Sequence, residues 1–147
     1  MSSPYDTALD QIASHQGYLA GIAVLDSFLA AFNAQDAAAW ADTLHYPHVR
    51  LAADEVIVWD TPEEYARSNE IGRLTASGWH HTRWNWRRLI QADADKLHFI
   101  VSFTRYDQAD QPLASYEALY VLTRRGSRWG IQARSSYAGI AVPGAAY

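Results

Sequence analysis

A chain of 147 residues, 49% hydrophobic and 19% charged, has enough apolar material for one folded domain and lacks the composition of a disordered polymer. Its net charge of −4 weighs against nucleic acid, whose binding requires a basic face to neutralise phosphates. With no cysteine, disulfides, thiolate metal sites and cysteine nucleophiles are excluded together.

Residues 1–17 read as a polar N-terminal arm, with a short helix over Thr7–Ser14, ahead of a single domain over 18–147. The start, Met-Ser-Ser-Pro-Tyr-Asp, has no basic region followed by an apolar run, so it does not read as a signal peptide. From Tyr18 a helical period sets in: Ile22, Leu25, Leu29 and Phe32 share one face, which Phe28 widens. This stretch carries Asp26 and is too short to span a bilayer, so the expectation is a cytoplasmic protein with no membrane partner. Asn33 is a stop, and Asp36 is placed to cap a second short helix over Ala37–Leu44, with Trp40 and Leu44 facing inward.

Tyr46-Pro47 ends the helical period, and His48–Ala52 and Glu55–Trp59 read as two short strands. Thr61-Pro62-Glu63-Glu64 is the sharpest local signal. Thr61 can cap a helix, Pro62 suits its first position, and Glu64 completes a capping box. That helix is expected to run to about Leu74, with Tyr65, Ile71 and Leu74 inward and Gly78 beyond its end. Four long strands follow, His80–Gln91, Leu97–Tyr106, Leu113–Arg125 and Arg128–Tyr137, joined by turn-forming sequences as an antiparallel meander. The tail Gly139–Tyr147 is rich in Gly, Ala and Pro and is expected to cross the surface.

Alternation divides these strands into faces. His80, Thr82, Trp84, Trp86, Arg88 and Ile90 oppose His81, Arg83, Asn85, Arg87, Leu89 and Gln91. Leu97, Phe99, Val101, Phe103 and Arg105 oppose His98, Ile100, Ser102, Thr104 and Tyr106, and Ser115, Glu117, Leu119 and Val121 oppose Tyr116, Ala118, Tyr120 and Leu122. In the third strand both faces are largely apolar, so helices are expected on one side of the sheet and a second subunit on the other, making a homodimer.

Two helices, a short strand pair, a third helix and four long strands form the element order of the NTF2-like (SnoaL-like) superfamily. The chain resembles that superfamily over roughly residues 18–137, through the Phe-Leu-Ala-Ala-Phe-Asn-Ala-Gln-Asp helix junction, Val-Trp-Asp-Thr-Pro-Glu-Glu-Tyr, and the closing strand from Trp129 to Ser136. The resemblance implies an α+β cone, three helices on a curved, mostly antiparallel sheet, with a pocket between the layers and commonly a homodimer. Steroid-isomerase-like members place a carboxylate base on the early strand, and residues 48–53 here contain none. Epoxide-hydrolase-like members use an Asp-Arg-Asp set, of which Arg105 and Asp107 offer only part. The His and Asp of scytalone-dehydratase-like members have no counterpart that can be placed residue by residue.

Three chemistries suggest themselves. Tyr46, His48, Trp59, Trp79, His80, Trp84 and Trp86 form an aromatic and histidine cluster suited to a flat apolar ligand, or equally to filling a small core and a dimer interface. Glu117, mid-strand among apolar neighbours, is a general base if it faces the cavity, or an ion-pair partner of Arg83, Arg105 or Arg134 if it does not. His48 and His80 are the other proton carriers. His45-Tyr-Pro-His48 and His80-His81 lack the context of a metal site, since neighbours on a strand point to opposite faces. No metal or cofactor is expected.

The functional expectation is a small-molecule-binding domain. If it is an enzyme, it performs cofactor-free acid–base work (isomerisation, cyclisation, dehydration or hydrolysis) on a small apolar or aromatic substrate. His48, His80 or Glu117 would move the proton, Arg83 or Arg105 would hold an anionic group, and Tyr46, Trp59, Trp79 and Trp84 would line the site. The alternative is a non-catalytic dimeric subunit whose interior is filled by its own side chains.

Overall fold

The computed structural model describes residues 16–52 and 54–137. The helix read over Thr7–Ser14, the rest of the arm through residue 15 and the tail Gly139–Tyr147 lie outside the described residues. The element order is α1 (Gln16–Asn33), α2 (Ala37–Asp42), β1 (Leu44–Ala52), β2 (Glu55–Trp59), α3 (Pro62–Ser68), a 3₁₀ turn (Ile71–Ser77), β3 (His81–Ala92), β4 (Lys96–Tyr106), β5 (Pro112–Arg125) and β6 (Arg128–Ser136). No described helix is long and apolar enough to cross a membrane.

The strands form one mixed sheet in the order β2-β1-β6-β5-β4-β3. β3 to β6 is the antiparallel meander that the short turns require, and β1 joins it parallel to β6. Helices cover one face. On α1 the buried stripe is Gly21, Leu25, Phe28 and Phe32, one residue per helical turn. Gly21 lets the helix approach the sheet: a Cβ there would lie 2.6 Å from Cε2 of Phe99. Asn33 ends α1 by pinning it to β3, donating to the Thr82 carbonyl at 2.9 Å and accepting the Thr82 N–H at 2.8 Å.

Asp36 caps α2 as its position requires, accepting from the Ala39 amide at 3.1 Å. The second helix is shorter than expected, and Leu44 already belongs to β1, where it and Trp40 are both fully buried. Thr61 accepts from the Glu64 amide and the Glu64 carboxylate reaches back to the Asp60 amide, so the capping box forms across one residue more than its usual span. The third helix stops at Ser68 instead of running to Leu74. Asn69 turns its buried side chain back onto the Tyr65 carbonyl at 2.8 Å, competing with the helical ladder, and the chain resumes as a 3₁₀ turn. Ile71 and Leu74 still face inward, and Gly78 closes the turn at φ 90°, where a side chain would be strained.

The alternation read for β4 and β5 holds, but the reading of β3 fails midway. The register steps from Trp84 opposite Phe103 to Trp86 opposite Ser102, leaving Asn85 as a bulge. One extra residue reverses the parity. Trp84, Arg87 and Leu89 therefore share the helix-covered face, while Trp86 and Arg88 lie on the other side of the sheet with Ser102 and Ile100. His80 precedes β3 and is exposed.

Candidate functional site

The helix-covered face of β4 ends in a cation. Leu97, Phe99, Val101 and Phe103 are buried in series, and Arg105 continues the same side at 4% exposure. Where α1 passes over this end, Phe28, Leu29 and Phe32 face Thr82, Trp84, Phe103, Arg105 and Tyr120 across a narrow cleft. Counted out to open solvent the cleft holds about 250 Å³ of empty space, but only about 10 Å³ of it admits a water-sized sphere, room for a single water. That is smaller than the ~300–1,000 Å³ typical of ligand pockets.

Behind Tyr120 lies a second layer. The parallel pairing of β1 with β6 sets Arg50 beside Arg134, and antiparallel pairing sets Arg134 beside Tyr120. Arg134 is 3% exposed and has only neutral partners among the described residues. Its Nε donates to Nε2 of His48 at 3.1 Å and one Nη donates to the Tyr65 hydroxyl at 2.7 Å. Its guanidinium also stands over the Phe28 ring at 5.3 Å and the Trp40 ring at 6.0 Å. Burial raises the Tyr65 hydroxyl to about 12, against the opposing pull of Arg134, and it raises Tyr120 as well, so both phenols stay protonated.

His48 sits inside this layer with no exposed surface, stacked on Trp59. Its Nδ1 donates to the Ile131 carbonyl at 2.9 Å, which leaves Nε2 as the acceptor for Arg134. Burial, then the Arg134 charge, push its pKa well below the ordinary histidine value. Both ring nitrogens are engaged inside the core, so His48 is a fixed acceptor here and does not line the cleft.

The other residues singled out from the sequence scatter. Trp59 and Trp79 are buried core, Trp79 donating its indole N–H to Thr82 at 2.8 Å. Tyr46 is half-buried and donates to the Ala41 carbonyl at 2.6 Å, fastening α2 to β1. Trp84 and Arg105 reach the cleft together. Glu117 does not: it pairs with Ser102 in register, is exposed, and faces away from the helices, so it cannot act on anything held in the cleft. The ion pairs with Arg83, Arg105 or Arg134 considered for it do not occur among the described salt bridges.

Arg83 also lies elsewhere, in a surface cluster at the β3 start and the β4–β5 turn. It bonds Asp110 at 3.0 Å and stands over the Tyr106 ring at 4.2 Å, while His81 bonds the same carboxylate oxygen at 2.9 Å. The Nδ1 atoms of His80 and His81 meet at 2.9 Å. They do not point apart, because His80 lies before the strand and escapes its alternation. Among the described residues no three His, Cys, Asp or Glu side chains converge to hold a metal ion.

Sequence reasoning missed the members that build the interior: Phe28 and Phe32 as cleft wall, Tyr120 as the junction of the two layers, and Arg134 as its buried charge. A signal for Tyr120 existed: it lies on the face of its strand opposite Glu117, among Ala118 and Leu122.

The sequence model of a family described as NTF2-like protein (DUF6841) matches residues 22–138. No curated protein matches the chain. Among solved structures, a protein of unknown function with a cystatin-like fold from Nostoc punctiforme PCC 73102 superposes with a TM-score of 0.65 at 11% identity, over 80% of this chain and 87% of that one. An NTF2-like protein of unknown function from Shewanella oneidensis MR-1 superposes at 0.63 and 8% identity, covering 82% and 98%. A ketosteroid isomerase-like protein from Erwinia carotovora atroseptica superposes at 0.61 and 18% identity, covering 83% and 95%. At these identities the likeness is one of fold.

Proposed function

The chain belongs to the NTF2-like protein family (DUF6841), and from that premise we propose that it is a small-molecule-binding domain whose site is the cleft between α1 and the β3–β5 end of the sheet. The supporting observation is the composition of the cleft wall. Phe28, Phe32, Phe103 and Trp84 offer ring surfaces, and Thr82, Arg105 and Tyr120 add a few polar groups to the wall. An apolar slot with a few polar groups in its wall suits a flat ligand.

The reading favours binding over proton transfer. Among the described lining residues the titratable side chains are Arg105 and Tyr120, and burial pushes Tyr120 above its ordinary value. Neither exchanges a proton readily near neutrality. His48, His80 and Glu117 are all directed elsewhere, so the isomerase or dehydratase chemistry that the fold can host has no proton carrier placed for it among these residues.

The second part of the proposal is a homodimer through the uncovered sheet face. Leu51, Val56 and Val58 are exposed there, and Val49, Ile100, Leu119 and Val121 lie half-buried on the same side. This contiguous apolar surface is of the kind that marks an interaction site.

The cleft is tested by titrating the full chain with the neutral fluorophore N-phenyl-1-naphthylamine and following its emission. Leu29→Trp, which adds bulk at a half-buried wall position, is expected to abolish the signal. Trp86→Ala, on the opposite face, should leave it intact. Unchanged binding by Leu29→Trp would place the ligand elsewhere.

A further inference from the structure

Two histidines that strand alternation would part come together at the start of β3. His80 precedes the strand, and its Nδ1 lies 2.9 Å from the Nδ1 of His81. The backbone on either side is fixed. Trp79 is buried and gives its indole N–H to Thr82, the Thr82 amide donates to Asn33, and the His80 amide donates to the Tyr106 carbonyl at 2.8 Å. The His81 ring stacks on Tyr106 with 9° between the planes, and its Nε2 donates to Asp110 at 2.9 Å. That bond, then the one from Arg83, holds the Asp110 carboxyl below its ordinary value, so it stays an ionised acceptor. With the His81 proton on Nε2, its Nδ1 presents a lone pair toward His80. His80 is exposed, and when its own proton sits on Nε2 a second Nδ1 lone pair faces the first.

We propose that His80 and His81 form a surface site for a divalent transition-metal cation of tetragonal preference, nickel(II) or copper(II), held by the two Nδ1 atoms with water in the remaining positions. The spacing supports this choice. Nitrogens ~2.0–2.1 Å from an ion lie about 2.9 Å apart when they subtend a right angle and about 3.4 Å apart in a tetrahedron, so the pair suits square-planar or octahedral coordination better than tetrahedral zinc. Asp110 supplies what a metal-binding imidazole needs on its far nitrogen, a carboxylate that fixes the tautomer and the ring orientation. The same carboxylate pairs with Arg83 at 3.0 Å, so the neighbouring guanidinium is compensated. Metal entry moves the His80 proton from Nδ1 to Nε2, a change of tautomer that releases no net proton. Among the described residues no third His, Cys, Asp or Glu joins the pair, so the site is open and its ion exchangeable. It stands or falls independently of the cleft.

The test is calorimetric titration of the full-length protein with nickel chloride and, separately, with zinc chloride near neutral pH. A single equivalent of nickel is expected to bind, and more tightly than zinc. Asp110→Asn, which alters only the orienting partner, should weaken nickel binding by roughly 10–100-fold, and His80→Ala, which removes a ligand, should weaken it further. His98→Ala, at the other end of β4, should leave it unchanged. Nickel binding that survives His80→Ala overturns the proposal, because the ion would then sit elsewhere. Tighter binding of zinc than of nickel overturns the tetragonal assignment. Absence of any nickel binding by the unmodified protein overturns the site altogether, and that result decides the matter even where a variant does not fold.

Discussion

Arg134 and His48 share a 3.1 Å hydrogen bond that only a neutral imidazole can accept, because the other ring nitrogen already donates to the Ile131 carbonyl. Protonating His48 would put a second donor against a buried guanidinium. Burial first, and that guanidinium second, hold the folded-state pKa well below the unfolded value of about 6.5. A depressed pKa contributes stability that is fully present above about pH 6.5 and is lost as pH falls toward the folded value. His45, also lowered, by burial and by Arg125 and Arg128, acts in the same direction. His48 is expected to remove about 1 kcal/mol between pH 7.5 and 5.5, and His45 adds a smaller loss of the same sign. Urea denaturation at the two pH values measures the loss, and His48→Gln should flatten the slope by about one histidine's share. A slope unaffected by that substitution would mean that His48 is charged in the fold.

Removing the Tyr65 hydroxyl tests the same layer from the other side. Tyr65→Phe keeps the ring that meets Trp40, Trp59 and His48, but deletes the acceptor that one Nη of Arg134 reaches at 2.7 Å. The other Nη has no acceptor among the described residues, so the substitution would strand an N–H of the second Nη as well. A loss of roughly 2–3 kcal/mol is expected from a buried donor on a charged group. Chemical denaturation reads it, and a change below about 0.5 kcal/mol would show that water already serves this guanidinium.

Glycine positions separate contact from conformation. A Cβ on Gly130 would fall 2.6 Å from Cδ2 of His45, whose ring is buried and held through Nδ1 to the Thr123 hydroxyl at 3.0 Å. The ring cannot swing away without losing that bond, so Gly130→Ala should cost about 1–3 kcal/mol by overpacking. Gly72→Ala is the control: a Cβ there meets only the flexible end of Gln35 at 3.4 Å. Thermal melting should show a clear drop for the first and almost none for the second.

Element order, caps and inward residues were readable because each rests on local chemistry. Asp36 and Thr61 cap their helices, and Phe28, Trp40 and Tyr65 fall on apolar stripes that are buried as their spacing requires. The site was less readable for two physical reasons. Alternation groups residues by face without saying which face the helices cover, so Glu117 was as plausible inside as outside. Parity also survives only until a bulge. Asn85 looks like any outward strand residue, and its displacement is set by cross-strand bonds to Ser102 and Thr104, far away in sequence. That one residue parted Trp84 from Trp86 and Arg88. Arg134, considered from the sequence only as an ion-pair partner of Glu117, was misjudged because its actual partners, His48 and Tyr65, come from β1 and α3, which are distant from β6 in sequence.

The uncovered face of the sheet gives the last expectation. Val58 pairs with Val49 and Val56 with Leu51, and of these four Leu51, Val56 and Val58 are 43–66% exposed. The patch extends across β6 to β5 through the register of Leu51 with Ser135 and Ser135 with Leu119. A charge placed there has two distinguishable consequences. If a second copy covers the patch, Val58→Glu puts two carboxylates into or beside a desolvated interface and should shift the mass to that of a monomer. If the patch is bare, the same change lies on solvent and should leave both mass and melting temperature within experimental scatter. Light scattering after size exclusion decides between them. A monomeric mass for the unmodified chain across micromolar concentrations would remove the dimer and leave the cleft proposal untouched, because the described cleft residues all lie on the helix-covered side of one subunit.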